Sequence, residues 1–312
     1  MSDDTAYTPE EVAKLLKISR FTVYEMIKRG ELSAYRIGRK MRIEASDLDN
    51  YKKKARGMEI NEIQPSSATS ACTRRDDETR LVISGQEIIL DILTKHLERQ
   101  MPNVSFLRSY TGSMDGLLAL YRGSANVASS HLLDEETGEY NIPYVRCFLP
   151  GQRLILVNLV YRHSGFLVAC NNPKNITAWA DLAKPDIRFV NREKGSGARV
   201  LLDEKIRRLN IDSRQIQGYN HEETSHLAIA SCVARGAADV GLGIEKVAMQ
   251  VPNLEFIPLQ KERYDLVIRK EDLDKPQFKA LLSILRSSAF HNEIAGMGGY
   301  DVSRMGETIA DF

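Results

Sequence analysis

Between Leu81 and Tyr121 the chain runs twice through one short cycle: an apolar run, a few small polar residues, then apolar residues at helical spacing. Leu81-Val82-Ile83 is followed by Ser84-Gly85 and the stripe Ile88, Ile89, Ile92, Leu93, Leu97; Val104-Ser105-Phe106-Leu107 is followed by Thr111-Gly112-Ser113 and by Leu117, Leu118, Leu120, Tyr121. The change of pattern at each hydroxyl or glycine loop predicts strand, loop and helix in turn. A third strand, Ala125-Asn126-Val127-Ala128, ends in Ser129-Ser130-His131. The device returns at Ile187-Arg188-Phe189-Val190, with a loop through Gly197 and a helix begun by Val200, Leu201, Leu202 and Ile206. A helix holding Ala228-Ile229-Ala230 and Val233-Ala234 then ends at Gly236 and leads into the glycine-closed strand Ala238 to Gly243. Such alternation predicts an α/β domain with a largely parallel sheet, whose ligands lie outside the carboxyl ends of the strands.

The small polar residues fall at those ends. A helix start there offers unpaired N–H groups and a partial positive charge, which suits an anion even without Lys or Arg. Gly195 and Gly197 let backbone amides approach a ligand, Ser196 adds a hydroxyl, and Arg192, Lys194 and Arg199 add charge. Ser84, Ser113 and Ser196 are also ordinary helix caps when taken singly, and Arg199 can equally pair with an acidic side chain. Their recurrence on equivalent junctions of two halves points to a ligand held in a cleft between lobes, in an electropositive pocket.

At 312 residues the chain exceeds one ordinary domain. Charge is uneven: thirteen Lys/Arg face nine Asp/Glu through Arg56, a balance of +4, whereas the remainder holds thirty against thirty-three, or −3. The head is therefore the part suited to a polyanion. The acidic start Met1-Ser2-Asp3-Asp4 is unlike a secretory signal, and the most apolar stretch, Leu154 to Val160, is interrupted by Asn158. A soluble cytoplasmic protein without a membrane partner is expected. Cys72, Cys147, Cys170 and Cys232 show no C-x-x-C pair and no His at metal-ligand spacing, so no metal site and no cofactor are expected. His221 and His226 are five apart and would diverge on a helix, unlike the paired imidazoles of a zinc protease. With no nucleophile–base order, P-loop or dinucleotide fingerprint, the expectation is a protein that is not an enzyme.

The head has its own grammar. Thr8-Pro9-Glu10-Glu11 reads as N-cap, first-turn proline and capping-box acid, and Val12, Leu15 and Leu16 form the stripe of a first helix. After Lys17-Ile18-Ser19 a second helix runs from about Arg20 to Arg29, with Val23 and Ile27 inward and Gly30 ending it. Arg20, Thr22, Glu25 and Lys28 fall on its exposed side. Ala34 to Ile37 and Met41 to Ile43 flank the basic turn Gly38-Arg39-Lys40, and Ser46 caps a last helix through Leu48 and Tyr51. Two short helices about a three-residue turn, followed by a basic hairpin, predict DNA binding with the second helix in the major groove.

Tyr7 to Ala13, Val23-Tyr24, Gly30-Glu31-Leu32, Arg36-Ile37-Gly38-Arg39 and Arg42-Ile43 resemble the excisionase and MerR-type head over residues 5 to 55. That resemblance implies DNA binding through the second helix and the wing, usually by a two-fold pair of chains. Arg36, Arg39, Lys40 and Arg42 would neutralise phosphates, while Arg20 and Thr22 are placed to touch bases. Residues 79 to 312 resemble the type II periplasmic-binding-protein fold. Gly112-Ser113, His131 to Asn141, Gly195 to Arg199, Gly236 to Gly243 and Arg263 to Val267 resemble more narrowly its molybdate-sensor-associated branch. By this resemblance the donors would be Ser84, Thr111, Gly112, Ser113, Ser130, Ser196, Gly197 and Thr224, with chain crossovers near Tyr161 to Phe166 and Arg263 to Ile268.

The expected architecture is thus α/β: a small winged helix-turn-helix domain (1–56), a linker (57–78) and a bilobal type II periplasmic-binding-protein-like domain (79–312). Lobe one would hold about 79–163 and 264–312, and lobe two about 164–263. The expected function is a one-component regulator that binds double-stranded operator DNA as a homodimer and senses molybdate or tungstate. Two rivals remain: a regulator sensing an organic carboxylate or cofactor clamped by Arg192 and Arg199, and an accessory enzyme of molybdenum-cofactor metabolism.

Overall fold

The computed structural model describes residues 6–16, 18–28, 32, 34–37, 40–45, 47–48, 51 and 80–312. The chain divides into two compact units, 1–71 and 72–312. The expected linker, Gly30, Gly38, Ser46 and Cys72 lie outside the described residues.

In the first unit, strand β1 (Ala6–Tyr7) leads into helix α1 (Pro9–Leu16), helix α2 (Arg20–Lys28) and the hairpin β2 (Tyr35–Ile37) and β3 (Lys40–Glu44). The capping box forms: Thr8 N–H donates to Glu11 Oε2 at 2.7 Å, and Glu11 N–H donates to Thr8 Oγ1 at 3.3 Å. Ser19 caps α2 by accepting from Thr22 N–H at 3.1 Å. Strands β2 and β3 pair antiparallel with Tyr35 opposite Arg42, and β1 adds a third strand to β3, which the hydrophobic pattern did not reveal. Val12, Ala13, Val23, Met26, Leu32, Ile43 and Leu48 form the core. Leu15, expected in the inward stripe, is 52% exposed, because the inward face of the eight-residue α1 runs through Pro9, Val12 and Ala13.

The second unit opens with β4 (Arg80–Ser84), α3 (Ile88–Gln100), β5 (Ser105–Ser109), α4 (Ser113–Tyr121) and β6 (Val127–Ser130). Then come α5 (Ile142–Phe148), the long strand β7 (Leu154–Ala169), β8 (Phe189–Arg192), α6 (Gly197–Arg208) and β9 (Glu222–Glu223). Next are α7 (His226–Ala234), β10 (Val240–Ile244), α8 (Glu245–Ala248) and the second long strand β11 (Leu254–Arg269). Helices α9 (Pro276–Leu285) and α10 (Ser288–Gly296) and strands β12 (Tyr300–Asp301) and β13 (Thr308–Asp311) close the chain.

The strand order is β5-β4-β6-β11-β7-β10-β8-β9, with β12 and β13 also on β7. The expected largely parallel sheet is corrected to a mixed one. Parallel pairs join β4 to β5 and β6, and β8 to β9 and β10, but the middle is antiparallel. The reason is that β7 and β11, sixteen residues each, run antiparallel to one another from one lobe into the other. The second crossover also shifts: Asp265 to Ile268 pair with β6 inside lobe one, so β11 passes between lobes where Pro258 to Tyr264 face Val160 to Gly165.

Alternation along β7 explains why both faces are covered. Ile155, Val157 and Leu159 enter the cluster built on Leu81, Ile89 and Phe278, whereas Leu154 and Leu156 enter the one built on Leu117, Leu120 and Val145. In the other lobe Phe166 and Val168 pack with Leu201 and Leu202, and Leu167 packs with Ile229 and Val233. A strand buried on both sides reads as a continuous apolar run without a period-two signal. Among the described residues no helix is long and apolar enough to cross a membrane.

Candidate ligand-binding site

Four helix starts in the second unit border one cavity of about 310 Å³. Gln86, Glu87 and Ile88 bring the start of α3; Thr111, Gly112 and Ser113 that of α4; Ser196 and Gly197 that of α6; Ser225, His226 and Leu227 that of α7. Each follows from a strand that ends in small or polar residues and turns sharply into a helix. Ser196 and Ser225 cap their helices by accepting from Arg199 N–H at 3.3 Å and Ala228 N–H at 3.1 Å. Those caps occupy one donor each, and a helix start carries further N–H groups that no carbonyl of its own helix can reach.

The lobes meet across this cavity. Met114 N–H donates to Gly195 O at 3.1 Å, Gln86 Nε2 donates to Glu193 Oε1 at 3.1 Å, and Arg192 Nη2 donates to Gln86 Oε1 at 2.5 Å. A Cβ on Gly112 would stand 2.9 Å from Gly195 O and 3.0 Å from Ser196 Cα, and one on Gly197 would stand 2.4 Å from the His131 ring. Only glycine permits these two approaches.

Beneath the helix starts lies a buried ionic group carried by the two long strands. Arg162 on β7 donates from Nε to Glu262 Oε2 at 2.9 Å and from Nη1 to Glu87 Oε2, and its guanidinium lies 4.6 Å from the Tyr264 ring centroid. Tyr300 donates to the other oxygen of Glu87 at 2.5 Å. His131 Nδ1 lies 3.4 Å from Glu262 Oε1, and its ring packs on Tyr264 with centroids 5.0 Å apart. Burial works against ionising Glu262, yet His131 and Arg162 beside it hold its carboxyl far below the usual range.

The expected electropositive character is corrected by this arrangement. Arg162, Arg192 and Lys246 line the cavity, but Glu87 and Glu262 hold Arg162, and Glu193 holds Arg192 at 2.7 Å. The attraction available to an anion therefore comes from helix starts and hydroxyls more than from net charge.

Of the residues singled out from sequence, Thr111, Gly112, Ser113, Arg192, Ser196 and Gly197 line the cavity. Ser84 sits behind it, its Oγ 2.6 Å from Thr111 Oγ1. Ser130 is fully buried and also outside the lining. Thr224 is exposed and offers only its carbonyl to Arg192 Nη2 at 3.2 Å. Arg199 turns away to Asp203 and Glu222, at 3.1 and 3.0 Å, and stacks on Tyr219, so it takes the acid-pairing role. Glu87, His131, Arg162, His226, Tyr264 and Tyr300 were not foreseen as site residues. Arg162, the one Lys, Arg, Asp or Glu in the largely apolar β7 run, was the available signal, since buried charges need partners; Glu262, between Lys261 and Arg263, gave none.

On the head, Arg20 and Thr22 lie along α2; Arg20 pairs with Glu10 at 2.9 Å, and Thr22 Oγ1 is 2.8 Å from Ser19 Oγ. Arg42 is half-buried on β3. Arg39 lies outside the described residues, as do the side chains of Glu25, Lys28, Arg36 and Lys40.

Two histidines give the site a pH signature. Burial, outweighing Glu262, lowers the pKa of His131; burial, helped by Arg192 and Arg162, takes His226 well below 6.5. The unfolded chain binds those protons near pH 6.5 and the folded chain only at lower pH. Stability from this source is therefore present above 6.5 and lost as pH falls toward the folded values. The thermal midpoint is expected to drop between pH 7 and 5, and less steeply in His226→Gln.

Residues 94–286, more than half of the chain, match the model of a PBP superfamily domain, and residues 6–56 match a helix-turn-helix domain. The uncharacterized protein YvgK of Bacillus subtilis is 42% identical over 311 residues, covering all of both chains. An uncharacterized protein encoded 5′ of a 2Fe-2S ferredoxin gene in Clostridium pasteurianum is 55% identical over 112 residues, 36% of this chain and 99% of its own. Among solved structures, a substrate-binding protein from Clostridium perfringens with bound phosphate superposes with a TM-score of 0.53 at 16% identity, covering 71% of this chain and 98% of its own.

Proposed function

From a chain that belongs to the PBP superfamily and carries a helix-turn-helix domain at its amino terminus, we infer a one-component transcriptional regulator. Its head binds operator DNA, as a two-fold dimer in the cytoplasm, and its C-terminal unit closes on a small anion. The convergence of four helix starts on one inter-lobe cavity carries this reading. Binding alone is required of the site, with no catalytic step.

The ligand proposed first is molybdate or tungstate. A tetrahedral oxyanion wants many neutral N–H and hydroxyl donors, and the hydroxyls of Thr111, Ser113 and Ser225 with the open N–H groups of the helix starts supply them around a lining whose side-chain charges are largely paired, while Ser196 gives its own hydroxyl proton to Glu193 O at 2.9 Å. The second reading, an anion on an organic body, is favoured by volume. About 310 Å³ equals the liquid share of about ten waters at roughly 30 Å³ each, and Ile88, Leu227 and Val247 add apolar wall.

Calorimetric titration of the full-length chain with molybdate, tungstate, sulfate, phosphate and small carboxylates distinguishes these readings. Saturable one-to-one binding of molybdate or tungstate is the expected result. Heat from organic anions alone selects the second reading, and silence toward every anion rejects both.

On the DNA side, Arg42→Ala is expected to weaken binding to all sequences alike and to lower the slope of log affinity on log salt by about 1. Arg20→Ala is expected to relax sequence preference instead. Competition binding at two salt concentrations separates the two behaviours.

A further inference from the structure

On lobe two, apart from the cavity lining, His221, Glu223 and Cys232 bring a nitrogen, an oxygen and a sulfur ligand atom within 4.8 Å of one another. We propose that these three side chains form a binding site for a zinc-class divalent cation, with the fourth position left to water. The proposal is independent of what fills the cleft.

The donor set suits such an ion: thiolate, imidazole and carboxylate together are the borderline-soft ligands that zinc prefers, and three protein ligands with an open position form a common tetrahedral arrangement. Cys232 Sγ and Glu223 Oε1 already stand 3.6 Å apart. Two ligands at Zn–S of about 2.3 Å and Zn–O of about 2.0 Å subtend about 3.5 Å at a tetrahedral angle. Sequence spacing concealed the group, because two ligands come from the β9 segment and the third from the second turn of α7.

The backbone that presents His221 is fixed from below. Asn191 N–H donates to His221 O at 2.8 Å, His221 N–H donates to Gly218 O at 2.8 Å, and Asn191 Nδ2 donates to Tyr219 O at 2.9 Å. Gly218 has φ of +91°, and a Cβ there would stand 2.0 Å from Phe189 O, so the turn is held against β8. The His221 ring has no hydrogen bond to any described residue, which leaves both nitrogens free to ligate. One cation stands nearby: Arg235 Nη2 lies 3.4 Å from Cys232 Sγ. Arg235 is exposed, so its head can swing into solvent when the metal enters.

Occupancy would reach the cleft through the chain. Glu223 O and Thr224 O accept from Arg192 Nε and Nη2, both at 3.2 Å, and Ser225 is the cap of α7 that lines the cavity. A metal joining β9 to α7 therefore stiffens the wall that lobe two presents to a ligand.

The test uses the reduced full-length chain titrated with Co²⁺ and then Zn²⁺. One equivalent of Co²⁺ should give a sulfur-to-cobalt charge-transfer band that Zn²⁺ bleaches, and Zn²⁺ should raise the thermal midpoint of the C-terminal unit. Both effects should persist when Cys72, Cys147 and Cys170 are changed to Ser. The band should vanish in Cys232→Ser, and affinity should fall roughly tenfold or more in His221→Ala. Absence of the band, or a band that survives Cys232→Ser, overturns the site. Circular dichroism of the metal-free variants checks that the loss is not unfolding.

Discussion

Arg162→Met is expected to destabilise the C-terminal unit by about 3–5 kcal/mol, the range for removing one partner of a buried ion pair. The side chain is 3% exposed and lies between Glu87 and Glu262, themselves 3% and 1% exposed. Its loss leaves two carboxylates out of water with no cation between them. The cost has a pH signature. In the native chain His131 and Arg162 together hold Glu262 far below its ordinary 4.5 against the effect of burial, and removing Arg162 takes away one of these two holds, so that pKa rises from its native value. A buried carboxylate that has lost its cation is relieved as protons bind. The gap between wild type and variant should therefore narrow as pH falls from 7 into the acid range where Glu262 of the variant takes up a proton, and Glu262→Gln in the Arg162→Met background should recover part of it. Chemical denaturation at pH 7 and at successively lower pH reads the effect, and a gap that stays constant would show that lost packing, not unpaired charge, sets the cost.

Gly112→Val is expected to cost ligand affinity rather than stability. Its first side-chain carbon would meet Gly195 O at 2.9 Å and Ser196 backbone at 3.0 Å, which is backbone on the opposite lobe and cannot yield. Each lobe keeps its own core, but the closed state becomes rare. If closure falls to about one molecule in a hundred, apparent affinity falls about 100-fold. Gly296→Ala, where a Cβ meets nothing within 4 Å, is the control and should bind as wild type does. Titration of both variants with whichever anion binds wild type reads the difference.

What could be read from the residues follows from the range over which each feature is encoded. The capping box at Thr8 and Glu11, the cap at Ser19 and the hairpin about residues 38–39 are local, and their signals lie within three or four positions. The β4-α3 and β5-α4 units were legible for the same reason: each switches from strand to helix at a glycine or hydroxyl residue. The direction of β7 and β11 was not legible, because β7 and residues 264–268 of β11 are buried on both faces and show no alternation, and because antiparallel pairing joins positions about 100 residues apart. The ionic group about Arg162 lies on those strands and so escaped notice with them. Helix starts could be counted from sequence, which placed Thr111, Ser113 and Ser196 at one cavity, but the sequence did not say which way Arg199 would turn. That depended on Asp203, one helical turn on, and on Glu222, which the β8–β9 pairing brings beside it.

The regulator reading requires that occupancy of the inter-lobe cavity alter the hold of the head on DNA. Fluorescence anisotropy of a duplex selected by the full-length chain from a random pool reads this coupling, with and without saturating anion. A change in DNA affinity of roughly 5- to 150-fold, the span of ordinary coupling energies, is expected for wild type, and almost none for Gly112→Val despite intact DNA binding. Identical DNA affinity for the empty and the saturated wild-type chain would contradict it.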